Sequence, residues 1–189
     1  MKIILGSSSK FRQQILTEMG YDFEVISPDI DEKKIRDVDP KKLVLALAHA
    51  KAEAILKKIQ EPAVIITADQ VVTFKGEIRE KPSSPEQVRE FLESYGNNMS
   101  ETVNGIVVTN TVNKKQESAY DTVQVFLHDI PSHVIDQLIE EGVIFHCAGA
   151  LRLEDPLMVP FIKEIRGSQD SLMGLPKNLT KSLMQKVWK

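Results

Sequence analysis

The stretch Met1-Lys2-Ile3-Ile4-Leu5-Gly6-Ser7-Ser8-Ser9-Lys10-Phe11-Arg12-Gln13-Gln14-Ile15-Leu16 decides the fold. Ile3, Ile4 and Leu5 make a short apolar run of the kind that forms a buried strand. Gly6 and three serines break the run and turn the chain. Helical spacing then sets in, with Ile15, Leu16 and Met19 as its apolar stripe and Gly20 at its end. A strand that opens into small residues at a helix start leaves backbone N–H groups unpaired at the positive end of the helix dipole, which is an anion site. The hydroxyls of Ser7, Ser8 and Ser9 add donors, and Lys10 and Arg12 add charge. The chemistry points to a phosphate-bearing ligand.

Outward from that stretch, strand and helix patterns keep alternating. Residues 2–6 predict a strand and 9–20 a helix. Phe23, Val25 and Ile26 predict a second strand, followed by the acidic loop Pro28-Asp29-Ile30-Asp31-Glu32. Residues 40–59 predict a long helix with Pro40 in its first turn. Ala63 to Thr67 is a continuous apolar strand of the buried kind. Lys75-Gly76 signals a hairpin between Val71–Phe74 and Glu77–Arg79. A helix is expected at 84–95, strands at 100–111 and 116–127, a helix at 131–141 closed by Gly142, a late strand at 159–165 and a final helix at 176–188. Alternating elements with central hairpins give an α/β architecture with a mixed sheet.

The 189 residues suit a single domain, 1–189. A net charge of −3 excludes a surface built for non-specific nucleic-acid binding. The single Cys147 cannot form an internal disulfide, which fits a reducing compartment. No apolar run reaches membrane-spanning length, so no membrane partner is expected. The opening strand lacks a signal-peptide layout, and a cytoplasmic location is the expectation.

Four residues invite a chemical reading. Arg12 shares a helix face with Ile15 and Leu16, which turns it inward beside the serine loop; the alternative is a surface arginine whose stem covers apolar area. Lys51 lies in the stripe of Val44, Leu47, Ala48 and Ile55, and a lysine there is rarely left unpaired. It is either snorkelling or aimed into a polar cleft, toward Glu32 or a phosphate. Asp69 follows the apolar strand, where carboxylates of α/β sheets commonly face a ligand; a turn aspartate is the alternative. Lys81, in Glu80-Lys81-Pro82, is a weaker signal. The four histidines and Cys147 present neither an ordered metal pair nor a nucleophile signal. Cations to hold a polyphosphate, with carboxylates to hold a divalent ion and orient water, are the parts of metal-assisted phosphoanhydride hydrolysis.

With those residues in place, the chain resembles the Maf family of nucleoside triphosphate pyrophosphatases over roughly residues 2–187. The family opening, Ala-Ser-x-Ser-Pro-x-Arg after a strand, reads Gly6-Ser7-Ser8-Ser9-Lys10-Phe11-Arg12 here. Asp31-Glu32, Lys51 in Ala50-Lys51-Ala52, Ala68-Asp69-Gln70, Glu80-Lys81-Pro82, His146-Cys147-Ala148-Gly149 through Glu154, and Gly174-Leu175-Pro176 match its later motifs. The resemblance implies cleavage between the α and β phosphates and a mixed, twisted sheet in two lobes around a central cleft, flanked by helices, as in inosine-triphosphatase-like folds. It also implies a divalent cation (Mg, Mn or Co) on Glu32 and Asp69, and a homodimer. Asp69, Lys51 and Lys81 would be catalytic, with Asp69 as proton acceptor, and Ser7, Ser9 and Arg12 would hold the triphosphate.

Three family positions track the substrate. Here they are Phe11, Gln70 and Glu154, similar to the branch acting on 7-methyl-GTP rather than that acting on dTTP and UTP. An aromatic face suits the cationic 7-methylguanine ring, and a carboxylate suits its N–H donors. Phe11 stands where tryptophan is more usual, and Asp155-Pro156 where glycine is common. The other readings are a dTTP/UTP pyrophosphatase of the same family and a non-catalytic nucleotide-binding regulator of cell division.

Overall fold

The computed structural model describes residues 1–188. In chain order the elements are β1 (Lys2–Gly6), α1 (Lys10–Glu18), β2 (Glu24–Val25), α2 (Pro40–Leu56), β3 (Ala63–Phe74), β4 (Glu77–Arg79), α3 (Pro85–Tyr95), β5 (Met99–Asn110), β6 (Gln116–Leu127), α4 (Ser132–Glu141), β7 (Ile162–Arg166), α5 (Gln169–Leu172) and α6 (Lys177–Trp188). The strands form a seven-stranded sheet in the order β2-β1-β3-β5-β6-β7, with β4 on β3. β1 runs parallel to β2 and β3, while β4 is antiparallel to β3 and β7 to β6. The expected α/β class and mixed sheet are therefore present.

Two compact units divide the chain. The first comprises Met1–Gln70, Val103–Asp121 and the segment from Gln169 onward; the second comprises Val71–Thr102 and Thr122–Ser168. The boundary falls inside β3, β5 and β6.

In the first unit, alternation along β3 sorts side chains to two faces. Val64, Ile66 and Ala68 join Ile15 and Leu16 of α1 and Leu183, Met184 and Val187 of α6 in one apolar cluster. Ile65 instead packs with Ile4 of β1 and Ile55 of α2. Capping matches the local sequence. Ser9 caps α1 by accepting from the Arg12 N–H, and Asp39 caps α2, with Pro40 at its first position. Gly6 is needed for close approach, since a Cβ there would meet Ile55 Cδ1 at 2.4 Å and Thr67 Cγ2 at 2.6 Å.

In the second unit, Val72 and Phe74 of β3, Val88 and Leu92 of α3, and Ile135 and Leu138 of α4 are buried. Lys75 (φ 50°) and Gly76 (φ 86°) turn β3 into β4, as the hairpin signal predicts. Gly142 closes α4 in the left-handed conformation.

The structure corrects the sequence reading in three places. β3 does not stop before Asp69 but runs on to Phe74, because an ion pair lets the strand carry a buried carboxylate. Residues 159–161 form a 3₁₀ turn, and the last strand is Ile162–Arg166. The four-residue α5 has no counterpart in the sequence pattern.

Candidate active site

The β1–α1 loop is built around Ser7. Its hydroxyl oxygen accepts from the Ser9 N–H at 3.2 Å and from Arg12 Nη1 at 3.3 Å. Both lone pairs are engaged, so the hydroxyl hydrogen is the part left to donate. Arg12 points inward, as its spacing predicts, rather than lying on the surface. Its Nε donates to the Gly174 carbonyl at 2.9 Å and its Nη1 also donates to the Ala68 carbonyl at 2.8 Å. The three hydrogens on Nε and Nη1 are thereby assigned, and Nη2 is the edge that can reach an anion. Burial lowers the Arg12 pKa while Asp69 and Glu32 push it back up, and the guanidinium remains a cation.

Lys51 and Asp69 meet because two elements are pinned in register. The Thr67 hydroxyl of β3 donates to the Ala48 carbonyl of α2 at 2.7 Å. Asp69 is two residues along the same strand face, and Lys51 is three residues along the same helix face. Lys51 Nζ then lies 2.5 Å from Asp69 Oδ1 and 2.8 Å from Glu32 Oε1. The two inner side chains are only 8% and 10% exposed, whereas that of Glu32 is 53% exposed. The cluster therefore opens on the Glu32 side. Burial raises the Asp69 carboxyl above its ordinary value, Lys51 and Arg12 pull it back down, and Glu32 adds a further push upward.

Gln70 follows Asp69 but faces the other side of the strand. Its Nε2 donates to the carbonyls of Ser171 (3.3 Å) and Leu172 (3.0 Å). With both amide hydrogens engaged, it offers a ligand only its carbonyl oxygen. Phe11 is half-buried in the first turn of α1. The apolar cluster beneath that helix takes Ile15 and Leu16 and does not include Phe11.

Lys81 and Glu154 belong to the second unit. Both are exposed. The Gly149 N–H donates to the Glu80 carbonyl at 2.9 Å, and Tyr95 Oη donates to the Gly149 carbonyl at 2.8 Å, so the two motifs that carry Lys81 and Glu154 are tied together. Arg152, which the sequence reading passed over, pairs with Asp155 at 2.6 Å and Glu154 at 3.8 Å; its i,i+3 spacing from Asp155 is the signal. Partial desolvation raises the Glu154 carboxyl, and burial pushes the Cys147 thiol up to about 11, so Cys147 is not a thiolate nucleophile near neutral pH.

Among the described residues, no group of three His, Cys, Asp or Glu side chains is placed to hold a metal ion. Glu32 and Asp69 nonetheless converge on one Lys51 nitrogen. These two carboxylates are the described residues that could together hold a divalent ion, with other ligands from outside the protein. No described helix is long and apolar enough to cross a membrane.

The family model for Maf-like proteins matches residues 2–187. The chain belongs to the Maf family. It is 42% identical over 192 residues to a 7-methyl-GTP pyrophosphatase of Dictyostelium discoideum, covering 98% of this chain and 96% of that protein. It is also 33% identical to a dTTP/UTP pyrophosphatase of Clostridium perfringens, covering 94% and 93%. A solved structure of the Staphylococcus aureus Ham1 protein aligns with a TM-score of 0.45 at 17% identity, over 68% of this chain and 73% of that one. The ion-paired cluster uses three of the motifs that carry the Maf resemblance: the acidic loop, the α2 lysine and Ala68-Asp69-Gln70.

Proposed function

We propose that this Maf protein hydrolyses a nucleoside triphosphate between its α and β phosphates, releasing the monophosphate and pyrophosphate. One observation carries the reading: a buried carboxylate, Asp69, held at 2.5 Å by a buried ammonium that also binds the more exposed Glu32. In this reading Asp69 takes the proton of the attacking water as the P–O bond breaks. In the metal-free protein burial raises its pKa, a direction that favours proton acceptance. Arg12, through Nη2, and the hydroxyls of Ser7 and Ser9 hold the triphosphate, while Lys51 and Lys81 offset its charge. Glu32 and Asp69 would hold a divalent cation, Mg, Mn or Co, which would neutralise phosphate charge. Residues 1–189 would act as one catalytic domain in the cytoplasm.

Within that reaction, 7-methyl-GTP is the preferred substrate. The support is the aromatic Phe11 outside the apolar cluster, the acceptor-only Gln70 and the acidic Glu154, together with the 42% identical relative. Hydrolysis of dTTP or UTP is the second reading, favoured by relatives such as the C. perfringens protein. A panel of methylated and unmodified nucleoside triphosphates with Mg, Mn or Co, read by pyrophosphate release, tests both levels. The expected result is release from 7-methyl-GTP at the highest kcat/KM. Faster release from dTTP or UTP overturns the preference, and binding without release from any of them overturns the catalytic reading in favour of a non-catalytic nucleotide binder.

A further inference from the structure

The turn at Gln169–Gly174 closes on itself through the Met173 N–H to the Gln169 carbonyl at 3.1 Å. Side chains from four elements of the first unit bond to it, three at its backbone and one at the Ser171 hydroxyl. The Ser171 carbonyl accepts from Asn104 Nδ2 of β5 at 2.9 Å, from Gln70 Nε2 of β3 at 3.3 Å and from the Gly174 N–H at 3.0 Å. The Ser171 hydroxyl donates to Asp121 Oδ2 of β6 at 2.5 Å. Gly174 presents its carbonyl to Arg12 Nε of α1. It does so at φ +92°, and a Cβ there would stand 3.1 Å from that same Nε, so only glycine fits without strain. Asn104 is fully buried, and its Oδ1 has no hydrogen-bond partner among the described residues. Burying an unpaired acceptor is costly, so what recommends asparagine here is its donor end.

We infer that Asn104 and Asp121 are positioning residues: they hold the Ser171 turn as a latch, and the latch fixes the Arg12 guanidinium beside the serine loop. Neither residue touches the substrate. Their effect runs through the Ser171 and Gly174 backbone to Arg12, whose Nε and Nη1 are committed to protein oxygens. The inference rests on the proposed role of Arg12 in holding the triphosphate. An arginine whose fork is set in advance loses less side-chain freedom when it meets a phosphate, and the gain appears in substrate binding more than in turnover.

Four proteins test it: wild type, Asn104→Leu, Asp121→Ala and Asp121→Asn. Asn104→Leu removes the donor together with the unpaired acceptor and so leaves no unpaired polar atom at that position, and thermal unfolding checks that the variant is folded. Asp121→Asn retains an oxygen that accepts from the Ser171 hydroxyl. The expected result is KM for the nucleoside triphosphate raised about tenfold in Asn104→Leu and Asp121→Ala, kcat within about twofold, and Asp121→Asn close to wild type. Unchanged KM in both disrupted variants overturns the latch, as does an Asp121→Asn variant as impaired as Asp121→Ala. A parallel titration with an α,β-methylene triphosphate separates the two layers. A wild type that binds this analogue but cleaves no nucleotide breaks the catalytic reading, and the latch is then read from Kd, where equal values in all four proteins overturn it.

Discussion

Two of the buried cations, Lys51 and Arg79, are held in different ways. Lys51, in the first unit, sits against Asp69 and Glu32 at 2.5 and 2.8 Å. Arg79, in the second, is 6% exposed and lies over three rings, with its guanidinium carbon 4.3 Å from the centre of Phe74, 4.5 Å from Phe91 and 4.9 Å from Tyr95. Its Nη1 donates to Ser94 Oγ at 2.6 Å and to the Phe91 carbonyl at 3.3 Å. Ring faces and neutral oxygens stabilise a cation without giving it anything to react with. A pair of carboxylates, one of them open to solvent, gives a cation partners that can bind metal and move protons. Under the proposed hydrolysis Lys51 would belong to the reacting groups, while Arg79 ties β4 to Phe91 and Ser94 of α3.

The comparison breaks most readily at Lys51. Lys51→Met should lower kcat/KM for pyrophosphate release by about a hundredfold or more, through lost charge stabilisation of the phosphates; near-normal turnover would remove Lys51 from the site. The same variant shifts a titration. Lys51 and Arg12 lower the Asp69 pKa against the upward pull of burial. Deleting the ammonium therefore moves Asp69 further up, and NMR titration of metal-free protein should show its carboxyl titrating at higher pH than in wild type. Movement downward would contradict the assigned cause.

Glu32→Gln should weaken metal activation about 10- to 100-fold, seen as a higher metal concentration for half-maximal activity. Arg79→Met should do the reverse of Lys51→Met. We expect a loss of about 1–2 kcal/mol in unfolding free energy by denaturant titration, with activity per folded molecule within about twofold of wild type. A large loss of turnover in a stable Arg79→Met protein would erase the distinction between the two cations. The smallest effect is expected from Gly174→Ala, about 1 kcal/mol of strain at a positive φ, measured by thermal unfolding.

The opening strand, loop and helix were legible because three signals coincide in sixteen residues: an apolar run, a serine cap and a helical stripe. Lys51 was legible because helix periodicity alone puts it among buried positions, where a lysine demands a partner. Asp69 misled the strand boundary, since a charged residue after an apolar run reads as an exit. Its neutralising partner comes from α2, eighteen residues earlier, and no local pattern reports it. α5 was illegible for a similar reason: four residues make too short a period, and the side chains that hold the turn come from α1, β3, β5 and β6. Arg79, in a hairpin between glutamates and isoleucine, looks like a solvated strand residue until Phe91 and Tyr95 close over it. Glu154 stood out only through the Maf motifs and Lys81 was a weak signal without them, because both are exposed and neither interrupts an apolar pattern.

The most direct measurement is pyrophosphate release from 7-methyl-GTP by wild type and Asp69→Asn, both shown to be folded by circular dichroism. The substitution keeps the shape of the side chain and removes its ability to take a proton. With Asp69 as the proton acceptor, Asp69→Asn should lose about three orders of magnitude or more in kcat while still binding nucleotide. Turnover within about tenfold of wild type would contradict that role and, with it, the reading of the Lys51 cluster as the reaction centre.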